Sequence, residues 1–300
     1  MRRNEVVINT CSRCFHRCFY CYPHFLQKVK MDIMPLDKFK VLVDIAKKEE
    51  YKLIIPYYIG SPLLHPEYDQ ILIYVAEKKM NCKFHSRMGV KIDFDKYKKV
   101  FDAFQKIKNY LSIEMTIDGL PGDKIVDAVN MDYDLVWSNI ERLSNLKQKM
   151  GYTHLRLKMA TLVTSYNEDR LDQIGAMAKK FNIPWYPKSF GHVNAHESPE
   201  HIKLINELAP RDRKWWGRLR EDENGNVRNR IKRGCSEGGK IPIISQEGAI
   251  SICCLDSLQE SAVGDVFKEG SIDKVLESKE YADALAKGKK KMYDTCKYKC

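Results

Sequence analysis

The chain has 300 residues, of which 44% are hydrophobic and 30% charged, and its formal net charge is +11. This length allows one large core or two unequal ones, because domains usually contain about 100–200 residues. A signal-peptide core and an apolar stretch of about 20 residues are both missing, which predicts a cytoplasmic protein rather than a membrane-spanning or exported one. Ten cysteines in such a protein indicate metal ligands rather than disulfides.

Short apolar runs alternate with helical patterns up to about residue 190. Strands are predicted at 6–8, 52–55, 82–84, 111–115, 155–159 and 183–186. Apolar residues at three- and four-residue spacing predict helices at 36–50, 66–80, 93–108, 133–149 and 167–181. This alternation predicts an α/β fold with a parallel sheet, either an open (β/α)6 barrel or a doubly wound sheet. In both architectures the chemistry belongs at the carboxyl ends of the strands.

The rest of the chain changes in character. Residues 191–233 form a predicted connector, with a short helix from Pro199 to Leu208 followed by a segment dense in charge. Residues 234–300 form a predicted cysteine-bearing module, in which apolar runs at 241–244 and 249–252 flank a turn and indicate a hairpin. The predicted organisation is therefore a barrel over residues 1–190, a connector and a small C-terminal module.

Cys14, Cys18 and Cys21 follow the first strand with the spacing C-x3-C-x2-C. A loop of this length supplies three thiolates, one fewer than a closed [4Fe–4S] site needs, so the fourth iron stays open for another ligand. A zinc site is the alternative, because Cys11 and Cys14 together with Cys18 and Cys21 form two C-x2-C pairs. The three residues between those pairs are fewer than zinc ribbons and fingers normally have.

This motif, with Tyr20 directly before its third cysteine, resembles the signature of the radical S-adenosylmethionine (SAM) superfamily. The resemblance implies a partial (β/α)6 barrel in which Cys14, Cys18 and Cys21 hold a [4Fe–4S] cluster, while SAM chelates the open iron. It also implies a flavodoxin- or ferredoxin-type reductant, whose electron leads to cleavage of SAM into methionine and a 5′-deoxyadenosyl radical.

Further segments resemble parts of the family that border SAM. Gly60, Ser61 and Pro62 stand where relatives carry a Gly-Gly-Glu-Pro turn that receives the methionine ammonium, and Ser61 replaces the acid. The missing carboxylate removes one charge-assisted contact, worth about 1.5–3 kcal/mol. The resemblance also assigns SAM contacts, in the segments after the third and fourth strands, to Ser86, Thr116 and Asp118. Asp118 either accepts ribose hydroxyl groups or caps a turn with Gly119.

The C-terminal cysteines follow a second pattern. Cys235 and Cys253 lie in a C-x12-G-x4-C arrangement around Gly248, and Cys296 and Cys300 stand at the end of the printed sequence. The pattern resembles the SPASM and shortened twitch extensions of radical SAM enzymes. It implies a second [4Fe–4S] cluster held by those four cysteines. Cys254 in place of Cys253, and a structural zinc site, are the alternatives.

The function predicted from these features is that of a radical SAM enzyme, an oxidoreductase or a peptide- or metabolite-modifying enzyme, that oxidises or rearranges a small polar substrate. A maturase of ribosomal peptides is the nearest alternative, although the thirteen residues before Cys14 leave no room for a leader-binding domain. Modification of nucleic acid fits the positive charge, but lysines on solvated helix faces explain that charge equally well. A zinc-stabilised, basic nucleic-acid-binding protein is the alternative without catalysis.

Overall fold

The computed structural model of the chain describes residues 4–16, 18, 21, 31–122, 131–190, 199–217, 219–229, 239–254, 256 and 258–290. Within these residues, six strands alternate with five helices up to residue 190, as the sequence predicts. The strands are β1 (Glu5–Ile8), β2 (Leu53–Ile55), β3 (Asn81–Ser86), β4 (Leu111–Thr116), β5 (Leu155–Leu162) and β6 (Trp185–Lys188). The helices are α1 (Leu36–Lys48), α2 (Tyr68–Glu77), α3 (Phe94–Ile107), α4 (Tyr133–Met150) and α5 (Leu171–Lys180).

Local signals in the sequence set the ends of these helices. The side chains of Asp93 and Asp132 accept hydrogen bonds from backbone amides in the first turns of α3 and α4. Gly151 ends α4 with a φ of +65°, a left-handed conformation that glycine adopts without steric penalty. Each helix also has a buried apolar stripe, which packs it onto the sheet.

Strands β1 to β6 lie side by side in chain order, and every neighbouring pair is parallel. The five helices pack on one face of this sheet, against a layer of apolar strand residues. That layer includes Val6, Ile8, Ile54, Cys82, Phe84, Ile113, Met115, Leu157 and Met159. A doubly wound sheet has helices on both faces, so the one-sided covering identifies the open (β/α)6 barrel.

The opposite face of the sheet, called the inner face below, carries polar and charged side chains. Successive strand residues point to opposite faces, so the residues that alternate with the apolar layer belong to it. Its members include Glu5, Lys83, His85, Ser112, Glu114, Thr116, Arg156, Lys158, Tyr186 and Lys188. The strand register agrees, because His85 and Lys158 are both cross-strand partners of Glu114. Arg156 and Lys158 are exposed, which shows that solvent reaches this face.

The connector contains the helix α6 at its predicted position, Pro199–Leu208. It also contains a hairpin that the sequence analysis did not predict, formed by β7 (Leu219–Glu221) and β8 (Val227–Asn229). The hairpin and α6 share a small apolar cluster. Its members are Phe190, Ile205, Leu208, Ala209, Leu219 and Val227. The connector is therefore a packed unit in its described part.

The C-terminal part of the chain joins the main sheet. Strand β9 (Ile243–Ile244) pairs with β1 in parallel and with β10 (Ile250–Ser251) in antiparallel orientation, so the predicted hairpin is confirmed. The helices α7 (Val266–Glu269), α8 (Ile272–Glu277) and α9 (Lys279–Lys289) follow. The hydroxyl of Tyr51 donates to Asp273 Oδ1 at 3.1 Å and the hydroxyl of Ser271 donates to Glu49 Oε1 at 2.5 Å, which ties this part to the end of α1.

In the part of the chain that the structure describes, no helix has both the length and the apolar character needed to cross a bilayer.

Candidate functional site

The loop after β1 brings the predicted cluster cysteines to the carboxyl end of the sheet. Cys18 is buried and Cys14 and Cys21 are half-buried, and none of these three described cysteines forms a disulfide. The amide of Cys21 donates to the carbonyl of Cys18 at 2.8 Å, which links the last two cysteines of the motif. Tyr57 marks their common location, because the charges of all three thiols act on it and, after burial, raise its pKa.

Neighbouring backbone segments hold this loop in place. The amide of Ser12 donates to the carbonyl of Asp32, and the amide of Ser61 donates to the carbonyl of Arg13. Gly60 lies so close to the loop that an added Cβ atom would stand 2.5 Å from the carbonyl carbon of Ser12. Its φ of +82° also belongs to the left-handed region. Gly60 and Ser61 are therefore backbone supports of the cysteine loop, and Pro62 starts a short 3-10 turn beyond them.

An ion pair between the partly buried Arg87 and the buried Asp118 stands beside the thiols. Arg87 Nη2 lies 2.5 Å from Asp118 Oδ2, and the other oxygen of Asp118 accepts the amide of Leu162 at 2.9 Å. Burial raises the pKa of Asp118, against the opposing effect of Arg87. Burial acts against the charge of Arg87, but Cys18 and Asp118 outweigh it and raise its pKa above the ordinary value. The guanidinium therefore stays positive next to Cys18.

The other predicted SAM contacts lie on the same edge of the sheet. Ser86 is buried at the end of β3, where its hydroxyl accepts the amide of Met88 at 3.0 Å. Thr116 is half-buried at the end of β4, two residues before Asp118. Asp118 is 2% exposed and has contacts on both carboxylate oxygens. Tyr20 lies outside the described residues.

A row of polar side chains continues from the cysteine loop onto the inner face. The ring of Tyr57 stacks on the ring of His85, with centroids 5.7 Å apart and an angle of 13°. His85 Nδ1 lies 3.6 Å from Glu114 Oε1, and Lys188 forms an ion pair with the same oxygen. Burial lowers the pKa of His85 to about 4, so its imidazole is neutral near pH 7. The sequence analysis assigned no role to these four residues.

The alternation of side chains along the strands, with a period of two residues, is the sequence signal that could have identified these four residues. Charged residues at alternate positions of β3, β4, β5 and β6 point to one face of the sheet, and a buried charge such as Glu114 requires a partner there. Lys188, two strands away in the sheet, supplies it. Glu114 and Lys188 are far apart in the sequence, so only the folded sheet brings them together.

The C-terminal cysteines are described in part. Cys253 is half-buried and Cys254 exposed, just after β10, whereas Cys235, Cys296 and Cys300 lie outside the described residues. Gly248 has a φ of +94°, and a Cβ there would stand 2.5 Å from the ring of Phe267, so the hairpin turn requires glycine. The hydroxyl of Tyr58 donates to the carbonyl of Cys253 at 3.4 Å. Tyr58 directly follows Tyr57, so the Cys253 loop lies near the N-terminal site.

The donor set around the first loop fits an iron–sulfur cluster better than a single ion. Among the described residues, no three His, Cys, Asp or Glu side chains come together closely enough to bind one metal ion. The thiolates of a cubane bind different irons and need no common centre. Arg87 adds a positive charge beside Cys14 and Cys18, which lowers the pKa of both thiols against the larger effect of burial. Three grouped thiols and one cation suit an anionic cluster.

Several solved structures share the fold. SuiB from Streptococcus suis has a TM-score of 0.64 at 12% identity, and the match covers 94% of this chain and 68% of SuiB. BtrN, solved with AdoMet and 2-DOIA, has a TM-score of 0.57 at 12% identity, over 99% of this chain and 92% of BtrN. The enzyme anSMEcpe with bound AdoMet has a TM-score of 0.58 at 14% identity, over 95% of this chain and 83% of its own.

The sequence itself matches two families. No curated protein has a significantly similar sequence. Residues 8–174, more than half of the chain, match the radical SAM superfamily, and residues 235–300 match the SPASM iron–sulfur cluster-binding domain. The first match favours the iron–sulfur interpretation of the N-terminal cysteines over the zinc one. The chain belongs to the radical SAM superfamily and carries a C-terminal SPASM domain.

Proposed function

We propose that this protein is an oxidoreductase of the radical SAM superfamily that removes a hydrogen atom from a small polar substrate, leading to its oxidation or rearrangement. The observation that carries the proposal is the position of the cysteine loop. Its three thiols lie at the carboxyl end of the sheet, next to Arg87 and Tyr57, where the polar inner face opens. SAM bound at this edge would lie beside the polar inner face, which solvent reaches at Arg156 and Lys158.

Cys14, Cys18 and Cys21 are the proposed ligands of the [4Fe–4S] cluster. When bound, the cluster delivers the electron that splits SAM into methionine and the 5′-deoxyadenosyl radical. The partly buried guanidinium of Arg87 compensates negative charge at the thiolates, and Asp118 holds this guanidinium in one orientation. Gly60 and Ser61 keep the loop against the end of β2.

The residues proposed for SAM lie around this loop. Thr116 is half-buried and can offer its hydroxyl group, whereas Ser86 at the end of β3 and Asp118 just after β4 are buried. Tyr20, Gly60, Ser61 and Pro62 complete the proposed set. Because Ser61 brings no carboxylate, this turn would offer the methionine ammonium of a bound SAM only its backbone and hydroxyl groups.

A second [4Fe–4S] cluster in the SPASM domain is proposed to use Cys235, Cys253, Cys296 and Cys300. Cys253 suits a ligand better than Cys254, because it is half-buried rather than exposed and satisfies the G-x4-C spacing from Gly248. A flavodoxin- or ferredoxin-type protein is the proposed source of electrons.

The extent of the structural matches supports a small substrate. The match covers 92% of BtrN, which was solved with AdoMet and 2-DOIA, but 68% of SuiB. A peptide substrate is the second candidate, because SuiB bound to its precursor peptide SuiA has a TM-score of 0.63. The structure of anSMEcpe with the Kp18Cys peptide has a TM-score of 0.58.

The central test is anaerobic formation of 5′-deoxyadenosine. The protein is reconstituted with iron and sulfide, mixed with SAM and dithionite, and compared with the triple variant Cys14→Ala, Cys18→Ala and Cys21→Ala. Cys82→Ala is the matched control, since Cys82 is a buried thiol within β3. We expect product from the parent and the control only. Equal product from the triple variant, or none from a fully loaded parent, would contradict the proposal.

A further inference from the structure

The inner face of the sheet has more positive than negative charge. Its basic residues are Lys83, Arg156, Lys158 and Lys188, and its acidic residues are Glu5 and Glu114. Four cations against two carboxylates leave an excess of two positive charges. His85 adds nothing to this balance, because its imidazole is neutral near pH 7.

These charges differ in how they are compensated. Lys188 forms an ion pair with Glu114, whose side chain is 8% exposed. The guanidinium of Arg156 lies over the ring of Tyr110, 4.0 Å from its centroid, just before β4 begins. Within the described residues, Lys158 forms no ion pair, and it is exposed on β5 as the cross-strand partner of Glu114. Lys158 and Lys188 therefore lie on the two strands that follow β4 in the sheet and share one buried carboxylate as their neighbour, and Lys158 lacks a counter-charge among the described residues.

The same group borders the site of SAM cleavage. Glu114 contacts His85, His85 stacks on Tyr57, and Tyr57 lies within the electrostatic reach of all three motif thiols. The contacts from Lys188 to the cysteine loop thus run through three side chains, those of Glu114, His85 and Tyr57. Lys158 lacks a counter-charge among the described residues, and an uncompensated cation on a face with excess positive charge attracts anions.

We propose that the inner face binds an anionic group of the substrate, a carboxylate or a phosphate, with Lys158 and Lys188 as its counter-charges. In the absence of this anion Glu114 forms an ion pair with Lys188, so the anion has to compete with Glu114 for this lysine. The proposal deepens the proposed function, on which it rests, by naming the chemical class of the substrate and the residues that recognise it. Lys158 and Lys188 are its specificity-determining residues.

Because Glu114 competes with the anion, substitutions of Lys158 and of Glu114 are expected to change the affinity for the anion in opposite directions. Lys158→Gln removes one counter-charge and weakens anion binding by about fivefold, the size expected for one partly exposed ion pair. Glu114→Gln keeps the shape of the side chain but releases Lys188, so the anion binds more tightly, again by about fivefold. A merely structural role of these residues would not produce effects of opposite direction.

The test uses the cluster-loaded protein under anaerobic conditions with saturating SAM. Malonate and inorganic phosphate are titrated separately by isothermal calorimetry, and the tighter of the two identifies the carboxylate or the phosphate. Lys99→Gln is the control for general charge, because Lys99 is exposed on α3 at the outside of the barrel. We expect its affinity for both anions to equal that of the parent.

The proposal is overturned if neither anion binds, if Lys158→Gln changes the affinity by less than twofold, or if Lys99→Gln weakens binding equally. Preferential binding of ethylenediamine would also overturn it, since a cation would then be recognised by Glu114. If Glu114→Gln does not fold, Lys158→Gln decides alone. The titration detects binding rather than SAM cleavage, so a protein that fails to form 5′-deoxyadenosine can still pass it.

Discussion

Gly60→Ala tests whether the turn after β2 supports the cysteine loop through its backbone. At a φ of +82°, an L-residue is strained by about 1–2 kcal/mol. The new methyl group would stand 2.5 Å from the carbonyl carbon of Ser12 and 2.6 Å from the carbonyl oxygen of Cys11. Such overlap with backbone adds about 1–3 kcal/mol, so the free energy of unfolding should fall by about 2–5 kcal/mol. Cys14 lies two residues after Ser12 in the same loop, so we also expect the variant to bind less iron per chain.

Gly225→Ala is the matched control. Gly225 has a φ of +77°, but an added Cβ meets no atom within 4 Å, so only the strain of about 1–2 kcal/mol applies. Unfolding in urea is followed by circular dichroism under anaerobic conditions, and iron is counted per chain after reconstitution. We expect Gly60→Ala to have the lower urea midpoint and the lower iron content. Equal midpoints with full iron in both variants would refute the support role.

Three further predictions concern the cluster, the ion pair and pH. Cys253→Ala should lower the iron from about eight to about four per chain, whereas Cys254→Ala should leave it unchanged, as measured by metal analysis. Arg87→Gln leaves Asp118 buried without its partner and should lower the free energy of unfolding by about 3–5 kcal/mol, and adding Asp118→Asn should restore part of it in a double-mutant cycle. The folded chain protonates His85 only near pH 4 and the unfolded chain near 6.5, so stability should fall as pH drops through this window, and His85→Gln should show a smaller fall.

Regular periodicity allowed the elements of the barrel to be predicted closely. The helix at Pro199–Leu208 has its predicted limits, and α1 begins at the predicted residue. The sixth strand was predicted at 183–186 but runs from Trp185 to Lys188. Ile183 is apolar and 4% exposed because it packs into the core after the left-handed Asn182, before the ladder with β5 begins. The apolar character of Ile183 thus reflects core packing rather than sheet pairing, and the start of the sixth strand was for this reason predicted too early.

The hairpin β7–β8 was missed because its strands are short and charged. Only Leu219 and Val227 bring apolar surface, too little for a pattern of period two to emerge. The signal that was present is Asn224-Gly225, a dipeptide typical of tight hairpin turns. The Asp222 side chain accepts the amide of Asn226, which closes the turn. The turn dipeptide was therefore the stronger signal, and the charged composition of the two strands concealed the hairpin.

The cysteine spacing placed the cluster loop from the sequence, but the inner face could not be derived in this way. Glu114 stands in the run Leu-Ser-Ile-Glu-Met, where a single charge gives no information about its partners. Its contacts with His85 and Lys188 come from strands 29 residues before it and 74 residues after it. They depend on the register, since a slip of one residue would turn Glu114 into the apolar layer beneath the helices. The apolar residues that fix this register, Ile113 and Met115, therefore also determine which charges meet beside the cysteine loop.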